Sequence, residues 1–385
     1  TNLQCQGCDN ALANGGNPAF VTFQTVPPVR IWLVSVPWEP TPGATPNMPR
    51  QFDIDMLASW LRRAYPTAEV RDTQMSLPAM DEPPGFVDED DDGVDENRDG
   101  FLCDDLNSEL SEWTQTMQAQ HPNTKYYGVV SDAGGLFMRG CAGIGGRFGS
   151  GPAGSGTFGW DTDGSYTDWY GGHEIAHMYD RTHPGFCGET DDDDDYPFPG
   201  GLIGTFGADF QGLDAGDGTL GPSLQLNDWR DGWSDLMTYC DNQWISDYSY
   251  RGVLRDLCDN EAANCPDPAG QASSQRVAAA AARKGGGQRL AVSGSLNLRS
   301  GRLRLAPLSV LRGLTLTRRS RRSPYSIDLV GRRGRVLESH PFEPSVEADL
   351  PRGQRRATVS EVVRFDPAAR RVELTRGAKK LESVP

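Results

Sequence analysis

The amino-acid sequence predicts a mixed α+β domain, built on a twisted sheet, followed by a small all-β sandwich domain. Strand-like and helix-like stretches alternate early in the chain, beginning with the buried-strand candidate at 29–36 and the helical pattern at 54–65. After residue 288, short β-branched runs are separated by turn residues, as in small sandwiches. The formal charge also changes sign, from −31 up to residue 269 to +15 after it, within the total of −16.

The 385 residues exceed what one hydrophobic core usually organises, so we expect two domains. We place an N-terminal segment at 1–28, the α+β domain at 29–268, a linker at 269–287 and the sandwich at 288–385. The linker is poor in large apolar residues and ends in three glycines. Further elements are predicted as a helix at 106–120, strands at 68–72, 126–130 and 136–145, and sandwich strands at 290–296, 303–311, 314–317, 325–330, 336–338, 359–365 and 372–375.

Eight cysteines are scattered along the chain rather than gathered in two C-x-x-C pairs. This favours disulfides and an oxidising compartment, so we expect a secreted protein. No apolar run reaches the length of about 18 residues that a membrane helix needs, so we expect no membrane span. The chain begins at Thr1 without a basic or apolar leader, and we expect any signal peptide to lie upstream or to have been removed.

Residues 172–188, GHEIAHMYDRTHPGFCG, combine histidines and a glutamate at metal-site spacing. On a helix, His173 and His177 project from the same face, and Glu174 lies beside them. His183 supplies a third nitrogen only if the chain leaves the helix and turns back, which agrees with Pro184 directly after it. Three histidine ligands leave a fourth position for water, the arrangement of a catalytic zinc site suited to amide hydrolysis, with Glu174 as general base. The alternative is a helix that buries two histidines for packing alone.

The segment HEIAHMYDRTH resembles the extended H-E-x-x-H-x-x-G-x-x-H motif of the metzincin metallopeptidases, and residues 236–239 resemble their Met-turn. Over about 29–260 the chain is similar to a group of secreted bacterial members of that clan. The resemblance implies a zincin-like α+β domain with one catalytic zinc ion held by His173, His177 and His183. It also implies that Glu174 is the base, that Met237 is structural, and that Tyr239 contacts the metal or steadies the oxyanion. An ordinary buried phenol is the alternative for Tyr239.

Asp180 stands where the family motif has glycine, which is the one departure within the motif. The glycine permits a left-handed backbone at the end of the helix, and Asp is among the few other residues that adopt it. Asp180 is expected either to keep this path or to reach a metal or a histidine ligand.

Cys187 follows the third histidine and Cys240 follows the Met-turn, so we expect a disulfide between them beneath the site. The alternative makes the Cys187 thiolate a fourth zinc ligand. The remaining expected pairs are Cys258 with Cys265, Cys5 with Cys8, and Cys103 with Cys141.

An acidic stretch at 88–104 repeats the D-x-D-x-D-G pattern with which calcium loops begin. We expect structural calcium there, although a solvated acidic loop is the alternative and no Glu stands at the twelfth position of an EF-hand. The candidate ligands are Asp88, Asp90, Asp92, Asp95, Asn97 and Asp99. The acidic run 191–195 is expected to be a solvated loop, which calcium orders or which selects basic substrates.

The last domain is basic but has few aromatic residues, so we expect no nucleic-acid binding. It is expected to be a stabilising appendage of the acidic domain, with docking to an anionic cell envelope as the alternative. The sequence as a whole predicts a secreted, monomeric, zinc-dependent endopeptidase whose substrates are extracellular polypeptides. Two alternatives stay open: a catalytically silent binding or adhesion protein on a metzincin-like fold, and a zinc hydrolase of a non-peptide substrate.

Overall fold

The structure is a computed structural model of the chain. It describes residues 25–85, 100–121, 123–135, 138–155, 160–188, 193–206, 211–260, 288–312, 316–317, 320, 323–350 and 355–384. We refer to 25–260 as the α/β part and to 288–384 as the β part. The predicted linker 269–287 lies outside the described residues, and the predicted domain boundaries stay predictions.

Helices and strands alternate through most of the α/β part. The helices are α1 (Gln51–Ala64), α2 (Cys103–Trp113), α3 (Gln115–Gln120), α4 (Thr167–Met178) and α5 (Asp247–Asn260), with 3-10 turns at Pro199–Gly201 and Trp229–Asp231. The strands are β1 (Val29–Val36), β2 (Val70–Ser76), β3 (Lys125–Ser131), β4 (Cys141–Ala142), β5 (Phe148–Ala153), β6 (Gln211–Asp214), β7 (Gln225–Asp228), β8 (Ser234–Asp235) and β9 (Gln243–Trp244). The helix predicted at 106–120 is interrupted at Thr114. Of the strand predicted at 136–145, the described residues 138–145 form only the two-residue strand β4.

Five strands form one sheet in the order β2-β1-β3-β5-β4. The first four are mutually parallel, and β4 pairs antiparallel with β5 at the edge. Strand β1, VRIWLVSV, is apolar on both faces because helices cover both: Leu33 packs in a core with α1 and α4, and Val34 in a second core with α2. On the side of the first core, helix α4 packs against β5 and the edge strand β4.

Two glycines let α4 approach α1 closely. A β-carbon at Gly171 would lie 2.9 Å from the Leu57 methyl carbons, and one at Gly172 would collide with the Trp60 ring. The two glycines stand directly before His173, so this tight packing fixes the position of the histidine face relative to the sheet.

The β part is a sandwich of two antiparallel sheets. Its strands are β10 (Gln288–Asn297), β11 (Leu303–Leu305), β12 (Ser309–Arg312), β13 (Tyr325–Val330), β14 (Val336–Phe342), β15 (Ser345–Val346), β16 (Arg356–Arg364), β17 (Arg371–Arg376) and β18 (Lys379–Val384), with a 3-10 turn at Arg332–Gly334. One sheet has the order β11-β10-β16-β15 with β12 on β10, and the other β14-β13-β17-β18. Both contribute to one buried core, for instance with Val292 and Val359 from the first and Ile327 and Leu374 from the second. The run predicted at 303–311 is two strands rather than one.

The two parts are in direct contact through polar groups on α2 and α3. Arg356 of β16 forms an ion pair with Asp104, whose side chain is buried. On α3, the Gln115 side-chain amide donates to Ser293 Oγ at 2.8 Å. The basic β part is therefore seated on the acidic α/β part rather than only tethered to it. Within the described residues, no helix is long and apolar enough to cross a membrane.

Candidate metal centre

The path of the chain after α4 brings the three motif histidines together. The helix ends at Met178, and Asp180 has φ 61°, which is the left-handed backbone that the sequence required at this position. The Lys125 ammonium, buried below, donates to the Met178 carbonyl at 2.6 Å and satisfies the helix end. The chain then turns back and returns His183 to the helix face that carries His173 and His177.

Three imidazole nitrogens converge on one point. His183 Nε2 lies 3.2 Å from His173 Nε2 and 3.1 Å from His177 Nε2. Four ligands placed tetrahedrally about 2.0–2.1 Å from an ion are about 3.3–3.4 Å apart, so these separations fit a shared metal. The other ring nitrogens of His173 and His177 face the Leu236 and Arg181 carbonyls at 2.6 and 2.7 Å. Donation to those carbonyls would leave both Nε2 lone pairs directed at the common point.

The fourth member of the cluster is Asp349, which comes from the β part and was missed by the sequence analysis. Its Oδ2 lies 2.7 Å from His177 Nε2 and 3.6 Å from His173 Nε2, and its Oδ1 lies 3.2 Å from His183 Nε2. The side chain is 3% exposed. One ligand atom from each of the four residues lies within 4.8 Å of all the others, so the group can hold a metal ion.

The charges and lone pairs of this group fit a cation. Burial by itself disfavours the Asp349 carboxylate, but the imidazoles of His183 and His177 hold its pKa well below the usual range. Asp349 Oδ2 lies 2.7 Å from His177 Nε2, close enough to share a proton or a metal ion with it. With the His177 proton on the far nitrogen, two lone pairs would face each other, and either a second proton or a metal ion between them makes that contact favourable.

Glu174 lies beside the cluster, as its place after His173 requires. Its side chain is buried, and its Oε2 has no hydrogen-bond partner. Burial, followed by the nearby Asp349, raises the pKa of Glu174 well above its usual range. A β-carbon at Gly140 would lie 2.5 Å from Glu174 Oε1 and 2.7 Å from the Tyr170 ring, so the chain passes close to both side chains where it enters the edge strand. The carboxyl group therefore lies next to the start of that edge strand.

The predicted Met-turn passes next to the histidines. The Leu236 carbonyl faces His173, and Met237 is buried in the same core as α4. The Tyr239 ring centroid lies 5.5 Å from that of His183, its hydroxyl donates to Asp349 Oδ1, and Arg139 Nη2 donates to that hydroxyl at 3.1 Å. Tyr239 is thus a hydrogen-bonded group at the cluster. Its catalytic role stays a prediction.

The disulfide Cys187–Cys240 is formed, with its Cα atoms 5.2 Å apart, and it links the loop after His183 to the Met-turn. The alternative in which the Cys187 thiolate binds the metal is therefore wrong. Cys103–Cys141 is also formed and ties α2 to the edge strand. Cys258 is disulfide-bonded. The expected partner Cys265 and the pair Cys5 and Cys8 lie outside the described residues.

The predicted calcium ligands Asp88, Asp90, Asp92, Asp95, Asn97 and Asp99 also lie outside the described residues. A second acidic cluster that the sequence analysis did not single out is formed by Asp161, Asp163 and Asp168, with one oxygen from each within 4.8 Å of the others. Burial and the charge of Asp161 raise the pKa of Asp163 to about 6. The D-x-D-G pattern at 161–164 is the signal that was available for it.

Comparison with known proteins adds no family assignment. A scan against models of protein families finds no match to this chain, and neither does a search among curated proteins.

Proposed function

We propose that this chain is a secreted zinc-dependent endopeptidase with a metzincin-like α/β part, acting on extracellular polypeptides. The observation that carries the proposal is the convergence of His173, His177 and His183 Nε2 with a buried glutamate one position after the first histidine. Three histidines with an adjacent carboxylate are the donor set of hydrolytic zinc sites. The left-handed Asp180 removes the objection that its substitution for glycine would divert the third histidine.

The residues of the site have complementary roles in amide hydrolysis. Zinc, when bound, acts as a Lewis acid on the scissile carbonyl and lowers the pKa of water to about 7. Glu174 takes a proton from the attacking water and delivers it to the leaving amine. Burial raises the pKa of Glu174, which favours the protonated carboxyl that can donate to the leaving amine. Tyr239, held by Arg139, lies against the rings of His173 and His183, where a phenol would stabilise negative charge on the carbonyl oxygen.

The edge strand β4 supports a polypeptide substrate in particular. It ends the five-stranded sheet beside Glu174, and its outer side is paired with an extended segment of the β part. An extended substrate would add to the same edge through main-chain hydrogen bonds, whatever its sequence. The disulfides formed within the described residues support an extracellular location.

One observation favours a second function. Asp349 completes a set of four donors, and closed metal sites are usually structural rather than catalytic. In this alternative the metal is a clamp between the α/β part and the β part of a silent binding protein.

Two pairs of variants test the proposal. Casein cleavage and bound zinc are measured in the wild type and in Asp349→Asn, each with and without Glu174→Gln. We expect casein cleavage in at least one of the two proteins that keep Glu174. Adding Glu174→Gln to that protein should lower cleavage about 10²–10⁴-fold, the loss expected for a removed general base, with zinc retained. Zinc bound at full stoichiometry with no cleavage in any of the four proteins would favour the structural clamp.

A further inference from the structure

Residues 345–350 of the β part lie across the site like a bound peptide. The Ile144 amide donates to the Val346 carbonyl at 2.9 Å, and the Ala348 amide donates to the Ala142 carbonyl at 2.9 Å. Gly143 and Glu347 form the antiparallel bridge between these two bonds. The outer edge of β4 is therefore already paired along the stretch that passes Glu174.

The next residue after this pairing is the one that reaches the histidines. Asp349 adopts φ 60°, a left-handed backbone that turns its carboxylate away from the strand and into the cluster. There it contacts His177 and His183, and the Tyr239 hydroxyl also donates to it. The Asp349 carboxylate thus takes the position of a fourth metal ligand. It also accepts the hydrogen bond of the Tyr239 hydroxyl, which the proposed function assigns to the substrate.

Residues 345–350 are also held by contacts outside β4. The buried Glu347 carboxyl group accepts from Asn107 Nδ2 of α2 at 3.0 Å and from Thr358 Oγ1 of β16 at 2.5 Å. A β-carbon at Gly143 would lie 2.9 Å from Ser345 Cβ, so the glycine permits the close approach of the two chains. These contacts fix the segment to both parts, which makes the placement of Asp349 a property of the docked β part.

We propose that Asp349 is the fourth ligand of the bound metal and that the β part is an intramolecular inhibitor of the site. The inference rests on the proposed function, because inhibition requires an activity. A substrate and residues 346–349 need the same strand edge and the same metal position, so both cannot be bound together. A covalently attached competitor acts at a high effective concentration, and the closed form dominates unless the contact is broken.

The test uses the full chain and a conservative substitution. Asp349→Asn keeps the size of the side chain, and Asn tolerates a left-handed backbone. Asp366→Asn, in the turn before β17, is the matched control. Zinc affinity is measured by competition with a chelator, binding of acetohydroxamate by calorimetry, and hydrolysis with a fluorogenic peptide.

For Asp349→Asn we expect zinc affinity to fall about 10-fold or more, because even the loss of a side chain that only hydrogen-bonds to a metal ligand costs that much. Acetohydroxamate binding should become measurable, and peptide hydrolysis should rise at least about 10-fold because the fourth position opens. Asp366→Asn should behave as the wild type.

The contradicting results separate the two proposals. Equal hydrolysis by the wild type and Asp349→Asn, with equal zinc affinity, would overturn the inhibitor and leave the endopeptidase standing. Weaker zinc binding in Asp349→Asn without hydrolysis in either protein would overturn the inhibitory role and the endopeptidase together. If the Asn variant does not fold, Asp349→Ala is measured in the same way, with thermal unfolding of each protein as the check.

Discussion

The metal centre has two sides that differ in origin. On one side, His173, His177 and His183 come from eleven consecutive residues and converge because of helix spacing and one left-handed turn. On the other side, Asp349 comes from a separate sandwich and reaches the same point only because that sandwich is docked. The histidine side is built locally and the aspartate side is built by contact between parts. This difference suggests that the first side holds the metal and the second controls access to it.

The largest expected effect separates the two sides by metal affinity. In His177→Ala we expect zinc affinity to fall at least about 100-fold and any hydrolysis to disappear, because the catalytic site needs all three imidazole ligands. In Asp349→Asn the loss should be smaller, because water refills the fourth position. Chelator competition with both proteins measures the ratio, and circular dichroism checks the fold. Equal losses in the two variants would mean that both sides hold the metal alike.

Removing the Cys187–Cys240 disulfide tests how far the stability of the histidine side depends on that bond. Replacing both cysteines by serine should lower the free energy of unfolding by about 2–4 kcal/mol, since the bond closes a loop with a sequence separation of 53 residues. Asp349 should stay in place, so acetohydroxamate binding should stay unmeasurable, as in the wild type. Denaturant unfolding and calorimetry give the two values. A variant that loses no stability but binds acetohydroxamate would show that this disulfide supports closure instead.

The last expected effect concerns the aspartate side and is confined to the pH dependence of stability. Burial raises the pKa of Glu347 to about 8, from an ordinary value of 4.5. The folded protein therefore holds a proton that the unfolded chain releases, and this contribution to stability is present below pH 4.5 and is lost as pH rises to about 8.

Glu347→Gln removes that titration. As the pH rises from 5 to 8, the unfolding free energy of the wild type should fall by a few kcal/mol relative to that of the variant. The conversion is about 1.4 kcal/mol for each pKa unit. Urea unfolding of both proteins across this range measures it. A difference that does not change with pH would mean that Glu347 is ionised in the folded state.

Particular elements show how far sequence reasoning reached in the fold. The strand at 29–36 was predicted at its observed bounds, because seven of its eight residues are apolar or small and five of them are β-branched or aromatic. The strand predicted at 136–145 failed, because β4 is short and its outer side pairs with the β part instead of extending. The helix predicted at 106–120 missed the interruption at Thr114, whose hydroxyl bonds back to the Leu110 carbonyl and competes with the helix.

In the site, the chain alone determined the histidine face, the neighbouring Glu174 and the need for a left-handed residue at 180, because these follow from the geometry of one helix and its end. The Cys187–Cys240 disulfide also followed from positions close to two recognisable motifs. The packing of the β part decided everything about Asp349, which lies 110 residues beyond Tyr239 in a segment without a metal-binding pattern. A local pattern fixes which atoms face one way along a helix, but only the docking of two surfaces fixes which distant carboxylate meets them.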